Sequence, residues 1–363
     1  DFERSDPVEH LAGRTGRLLM TKKTFIPVPS TTEVETYDVS AIPSFDTFRT
    51  RIRNGVLMQD ARGLYVTQRP PITMSVDASD SVALVKGRGI IYRSYDSKLW
   101  FVNDTTLYED NYSTARGTLT GSVHHPVTML ELDDYLILID ARNVKGWTKN
   151  GTGAFTQITD ADFTALTLSY GGAVLNGRLF VGETGTSAVM AAGIYHSGAG
   201  SPTTWDPLNV IRPQRVNDNL VAVTQHHEQI VAFGNQSTEF FYDNGNASGS
   251  VLSLNTNIFY NIGLVYGGRT FTCVGDVIYF IGGGLKTSLG VYKLENFNIT
   301  RISPPWLDNY IAEDTIGNSE ITAFNMGGRD FVLISKDPND SIYPHIDIAV
   351  YDGMGWAIWD VPS

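Results

Sequence analysis

The sequence predicts an all-β fold: a β-propeller of six antiparallel blades, a seventh left open, preceded by an extended N-terminal arm. Three observations predict it. No long window carries apolar residues at i, i+3, i+4 and i+7, so helical periodicity is nearly absent. Short apolar runs are instead bounded by Gly, Asn and Asp, the pattern of strands and turns. These runs recur as a unit, with successive turns about 43 to 52 residues apart. That spacing matches the ~40–50-residue period of four-stranded blades.

The units follow one another along residues 47–363, the predicted propeller. In each, a strand leads through a short turn to a strongly apolar strand, and a third strand ends in Tyr or Trp. VALVKGRGIIYRS is expected to turn at Arg88-Gly89, with SKLWFVND after it. MLELDDYLILID turns at Asp133-Asp134, AVLNGRLFVGE at Asn176-Gly177, and VTQHHEQIVAFG at His227-Glu228. TCVGDVIYFIG turns at Gly275-Asp276, and AFNMGGRDFVLIS at Gly327-Gly328. Asn-Gly suits a two-residue hairpin because both residues tolerate positive φ. Arg53–Gln68 reads either as a further hairpin or as a strand that closes the ring. A blade cannot bury both of its faces alone, so blades must pack around an axis. Residues 1–46 break the pattern. RTGRLLMTKK is a basic cluster within an acidic protein, and FIPVPSTTEVETYDVSAIPSF is rich in Pro and Thr. They read as an arm that docks on a partner.

Composition sets limits on function. The 363 residues are 42% hydrophobic and 18% charged, enough to bury a core. The net charge of −12 offers no basic footprint for sequence-specific DNA binding. It suits a surface that DNA passes without being gripped, because each neutralised phosphate adds affinity. No apolar run reaches the ~18–20 residues of a membrane helix. The opening DFERSDPVEH lacks the basic-then-apolar order of a secretion signal. Asn235-Gln-Ser and Asn298-Ile-Thr are therefore expected to be chance matches to a glycosylation triplet.

A search for chemistry selects no site: no catalytic, cofactor-binding or metal-binding residue is assigned, and no cofactor is expected. The one cysteine, Cys273, sits in an apparent strand and reads as a small buried hydrophobe. His124-His125 and His226-His227 are adjacent pairs, and neighbours on a strand point to opposite faces, so neither pair should share a metal. IGGGLKTS (281–288) and GETGTSA (182–188) lack the Gly-Lys-Ser/Thr ending of a phosphate loop and read as blade loops. Glycoside hydrolysis needs two carboxylates about 5–10 Å apart. Glu131, Asp133, Asp134, Asp160, Asp162, Asp218 and Glu239 are loop acids, but no spacing among them selects a pair. Trp147, Trp205, Trp306, Trp356 and Trp359 would be platforms in a lectin, but read first as core or interface.

Several ordered segments resemble the packaged-DNA stabilisation proteins of short-tailed bacteriophages, also called tail hub or nozzle proteins. They run from GRGIIYRSYDSKLWFVNDTTLYED through GTLTGSVHHPVTMLELDDYLILIDARNVKGW to LGVYKLENFNITRISPPWLDNYI. The most specific pieces are Gln157–Phe163 (QITDADF) and Gly234–Tyr242 (GNQSTEFFY). One departure is Leu264, where the pattern carries Cys. The resemblance implies a structural virion protein of the phage tail and no enzyme. It implies a homo-oligomeric ring, a hexamer, below the head-to-tail adaptor. That ring would extend the DNA channel, retain packaged DNA and dock fibres, spikes or a needle. The alternatives are a receptor-binding lectin-like propeller and a polysaccharide-degrading tail protein.

Overall fold

The computed structural model describes residues 52–53, 55–60, 63–68, 87–122, 125–185, 193–216, 218–265, 270–312, 319–335 and 347–360. The predicted arm, residues 1–46, lies outside them. The fold is all-β, a six-bladed propeller with two short helices among the described residues, α1 (Ala161–Thr164) and α2 (Pro305–Ala312).

The first blade holds Gly87–Arg93, Lys98–Asn103, Thr106–Glu109 and Asn111–Thr118, paired in sequence order. The second runs from Thr128–Leu132 through Tyr135–Asp140 and Lys145–Asn150 to Phe155–Gln157. The third comprises Ala173–Leu175, Arg178–Glu183, Gly193–Gly198 and Ser201–Ile211. Leu220–His226, Gln229–Gly234, Thr238–Asp243 and Leu252–Tyr260 make the fourth, to which Tyr170–Gly171 adds in parallel. The fifth is built on Val277–Gly284, Thr287–Glu295 and Asn298–Arg301, with Phe271–Val274 as its first strand. Glu320–Met326, Arg329–Ser335, Asp347–Tyr351 and Trp356–Asp360 form the sixth. First strands touch between the first and second, second and third, third and fourth, and fifth and sixth blades, as strands converging on an axis should.

Both faces of a middle strand are buried, which explains its continuous apolar run. In YLILID, Leu136 and Leu138 pack with Trp100 and Leu107 of the first blade. Ile137 and Ile139 point the other way, to Leu179 and Val181 of the third. The same alternation sends Phe241 toward Phe180 and Ile194, and Phe240 toward Phe280 and Tyr292. Each such seam buries large apolar side chains, worth about 1.5–3 kcal/mol apiece.

Five predicted hairpin turns are observed, between Leu132 and Tyr135, Leu175 and Arg178, His226 and Gln229, Val274 and Val277, and Met326 and Arg329. Asn176 and Gly177 both take positive φ, 48° and 71°. The turn expected at Arg88-Gly89 is a correction. Those residues lie inside a strand, with a bulge between Gly87 and Gly89, and the chain turns later, between Arg93 and Lys98. Gly89 serves close approach there: a Cβ would stand 2.6 Å from the Val127 carbonyl oxygen of the next blade.

The hairpin reading of Arg53–Gln68 is the one observed. Gly55–Asp60 pairs with Gly63–Gln68 as an antiparallel hairpin. Ile52–Arg53 adds in parallel to the outer strand of the sixth blade. Helix α2 is a small departure from the all-strand reading. Pro305 opens it, where a missing N–H costs nothing. Leu307 and Ile311, one turn apart, are buried against the fifth and sixth blades.

Candidate functional site

Two of the seven acids read as loop residues, Glu131 and Glu239, stand in strands instead, and four of the seven, Glu131, Asp160, Asp218 and Glu239, accept from backbone N–H groups. Asp160 caps α1, accepting from Asp162 N at 2.9 Å, and also accepts from Trp205 N at 3.2 Å. Asp162 lies half-buried in the first turn of that helix. Glu131 reaches from the second blade to Ser94 N and Tyr95 N of the first, at 2.9 and 2.7 Å. Asp133 occupies a turn at φ 52°, and the carbonyl of Asp134 accepts from Arg93 Nη2. Such bonds fix loops that would otherwise bury orphan donors.

Two of these acids stand close enough to repel each other. Asp218 accepts from Asn235 N at 3.1 Å, Gln236 N at 2.7 Å and Ser237 Oγ at 3.1 Å. Glu239, 1% exposed, accepts from Arg215 N at 3.1 Å and Gln214 N at 3.4 Å. Burial pushes the Glu239 carboxyl above its usual range, the bonded N–H groups oppose that, and Asp218 adds repulsion. Together the two carboxylates pin the crossover between the third and fourth blades to the tip of the fourth. Thr238 Oγ1 donates to Ile262 O at 2.7 Å, fastening the next crossover. GNQSTEFFY is thus a junction: its polar residues hold loops, while Phe240 and Phe241 supply opposite seams. QITDADF is a second. Ile158 and Phe163 are buried, Asp160 caps, and Gly146 lets the helix sit close, because a Cβ there would lie 2.8 Å from Phe163.

A cavity of about 230 Å³ opens between the first two blades, lined by Lys98, Trp100, Glu109, Arg116 and Lys149 among others. Each of its cations has an acceptor. Lys98 and Arg116 both pair with Glu109, and Lys149 Nζ donates to Gly151 O and Gly153 O at 2.7 and 2.9 Å. Burial, then the Arg93 and Arg116 guanidinium groups, lower the Lys149 pKa.

The histidine expectation needs correcting in one respect. His226 ends its strand, but His227 stands in the turn at φ 51°, and the two rings come within 4.3 Å. Positive φ cancels the strand alternation that would have separated them. Their company is Phe297, whose N–H donates to His226 Nε2 at 3.2 Å. Among the described residues no group of three or more His, Cys, Asp or Glu could hold a metal. His124 lies outside them.

His196 and His226 are both buried, and desolvation lowers both pKa values. Their neutral forms therefore stabilise the fold fully above the unfolded value of about 6.5, and that contribution is lost as pH falls through the lower folded values. The slope is at most about 1.4 kcal/mol per histidine per pH unit. In urea titrations between pH 7.5 and 5.5, His226→Gln should weaken less steeply than the parent; parallel pH dependences would count against this.

Cys273 corrects another expectation: it is exposed to solvent on the first strand of the fifth blade. It is nonetheless hemmed in by protein, with Thr224 Oγ1 3.7 Å from its Sγ, and desolvation raises its pKa. The tryptophans bear out the core reading. Trp147, Trp205 and Trp359 are buried, and Trp306 and Trp356 pack against the seam of the fifth and sixth blades. Residues 281–288 form a hairpin tip between two strands, so no helix follows their glycines. In 182–188, Gly182–Glu183 end a strand and Gly185 N donates to Asn219 Oδ1 at 2.7 Å, while 186–188 lie outside the described residues.

The family described as "Bacteriophage P22 Gp10, beta-propeller" matches residues 59–335. The chain belongs to that family. The P22 Gp10 match begins in the N-terminal hairpin, spans both junctions and ends with Arg329–Ser335. It makes this a structural tail protein of the phage virion. No curated relative matches the sequence. Solved structures similar to this Gp10-family chain include the N-terminal domain of Nup159, 7% identical over 76% of this chain and 78% of that one, TM-score 0.42. AofleA from Arthrobotrys oligospora is 13% identical over 73% and 82%, TM-score 0.40. The extracellular domain of BT4673 from B. thetaiotaomicron is 12% identical over 86% and 40%, TM-score 0.43. No helix among the described residues is long and apolar enough to cross a membrane.

Proposed function

We propose that this chain is the tail hub, or nozzle, subunit of a short-tailed phage. A hexameric ring of it would extend the DNA channel below the head-to-tail adaptor, help retain packaged DNA, and carry fibres, spikes or a needle. The observation that carries the reading is the family match over 59–335. The site geometry supports it. Four of the acids that could have served hydrolysis, Glu131, Asp160, Asp218 and Glu239, hold loops, and the tryptophans that could have stacked on sugars are buried or pack against seams. What the propeller then contributes is a rigid shape. Rings arise when a heterologous interface closes by rotation, and the acidic balance of −12 suits a lumen that lets DNA slide.

Imaging of the assembled particle with this chain tagged tests the proposal. Density for the tag should form a ring around the distal tail channel. A tag found only at fibre tips, or glycan binding and capsule cleavage by the isolated protein, would overturn it in favour of a receptor-binding or degrading role.

A further inference from the structure

The cavity between the first two blades holds a charge that the fold does not balance. Lys149 is 8% exposed, and a lysine so deep is rare without a carboxylate partner. Among the described residues it has none. Its Nζ donates to the carbonyls of Gly151 and Gly153 at 2.7 and 2.9 Å and stands 5.7 Å from the centroid of the Trp100 ring. Carbonyl dipoles and a ring face offset part of the desolvation cost but bring no counter-charge. Burial disfavours the ammonium first, Arg93, Arg116 and Lys98 add repulsion, and Asp96 opposes them.

The two carboxylates that line the cavity are already engaged. Asp96 accepts from Arg93 Nη1 at 2.9 Å and from Trp100 Nε1 at 3.1 Å. Glu109, 6% exposed, serves Lys98 with one oxygen and Arg116 with the other. Three cations thus line one cavity of about 230 Å³ against two carboxylates, with Arg93 fully buried beside Asp96 as a fourth. Donors are in surplus as well. Arg116 uses Nε on Glu109 and has both Nη groups left; Lys98 Nζ has one partner for its three hydrogens, and Lys149 Nζ has two. The Tyr95 and Thr152 hydroxyls, which also line the cavity, bond nothing among the described residues. In a chain of net charge −12, this is a local concentration of positive charge held on a rigid frame.

We propose that this cavity binds phosphate, as the free ion or as a monoester, through Lys149, Arg116 and Lys98. A phosphate monoester carries about −1.5 to −2 charges at pH 7 and three strong acceptor oxygens. Three oxygens suit three cations set apart on two blades, whereas a carboxylate offers two. The ligand supplies the counter-charge that Lys149 lacks. The cavity is wider than one phosphate group, so Tyr95 and Thr152 are left to meet whatever the phosphate is attached to. Lys149 belongs to the second blade and the other two cations to the first, so the bound anion also ties that seam.

Titration calorimetry on the full chain tests this, with inorganic phosphate, glucose 6-phosphate and acetate as probes at one ionic strength. At least one phosphate probe should bind, one per chain, with a Kd below about 1 mM, and acetate about tenfold or more weakly. Tighter binding of glucose 6-phosphate assigns the site to phosphate on an organic body, and tighter binding of inorganic phosphate assigns it to the free ion. Lys149→Met should weaken the better probe by about tenfold or more, the loss of a charge-assisted contact. Arg116→Gln should do the same, and with a side chain 43% exposed it tests the site without disturbing the core. Three results would overturn the proposal. One is a Kd above about 1 mM for both phosphate probes. Another is acetate binding as tightly as phosphate, which would make the site one for a carboxylate. The third is unchanged phosphate affinity in Arg116→Gln, which would place the binding elsewhere. The titration uses the isolated chain, so its failure leaves the tail-hub reading standing.

Discussion

Replacing Arg88 with Met is expected to destabilise the propeller by about 3–5 kcal/mol, the range for breaking a buried ion pair from one side. The guanidinium is wholly enclosed between the first two blades. Its Nη2 lies 2.5 Å from Asp140 Oδ2, its Nε donates to His125 O at 2.7 Å, and its Nη1 donates to Asp104 O at 3.1 Å. Asp140, also fully buried, keeps only Asn143 as a partner when the arginine is gone: Nδ2 at 2.7 Å and the backbone N at 3.2 Å. An uncompensated carboxylate in a dry seam is the source of the cost, more than the lost attraction. The double variant Arg88→Met with Asp140→Leu should therefore recover part of the loss, since two apolar groups leave no orphan charge. Urea unfolding of the three proteins checks this. A single-variant loss under about 1 kcal/mol, or a double variant weaker than the single one, would show that the pair does not bridge the seam in this way.

Arg88 also shows what the sequence could and could not tell. Gly-flanked Arg88 resembles a turn locally, and the period of the repeat invites a turn there. The partner that overrides that local reading, Asp140, is 52 residues away in the next blade. The blades themselves were legible because their signal is local: apolar alternation with Asn, Asp and Gly at two-residue turns. YLILID and VIYFIG announce fully buried middle strands with no knowledge of the fold. The junction acids were visible as candidates, but their task was not, since the N–H groups they satisfy belong to other loops. His227 was misjudged for a related reason. Strand alternation was extended one residue past the strand, into a turn whose positive φ reverses the direction of the side chain. The tryptophans were read correctly because bulk and strand-end placement favour burial whatever the ligand chemistry.

Gly234→Ala carries the second large effect, and its size should depend on a residue it does not neighbour in sequence. A Cβ at this position would stand 2.2 Å from Asp218 Oδ2 and 2.7 Å from its Cγ. A flexible side chain would swing aside at little cost. This one is held by Asn235 N, Gln236 N and Ser237 Oγ, so moving it strands donors of the junction loop. In the parent, Gly234→Ala should cost about 2–3 kcal/mol, at the upper end for overpacking. Asp218→Ala alone should cost about 3 kcal/mol, because hydrogen bonds to a charged acceptor are worth roughly 1.5–3 kcal/mol each and their loss leaves unpaired donors behind. Once the carboxylate is gone, the methyl group at 234 meets nothing closer than Ser237 Oγ at 3.3 Å. The glycine substitution should then cost under about 0.5 kcal/mol, giving a coupling of roughly 2 kcal/mol in a double-mutant cycle. Additive losses would mean that Gly234 is required for some reason other than the approach of Asp218. Strong coupling would give the glycine of GNQSTEFFY a physical cause: it is the space in which a single carboxylate gathers one loop onto the next blade.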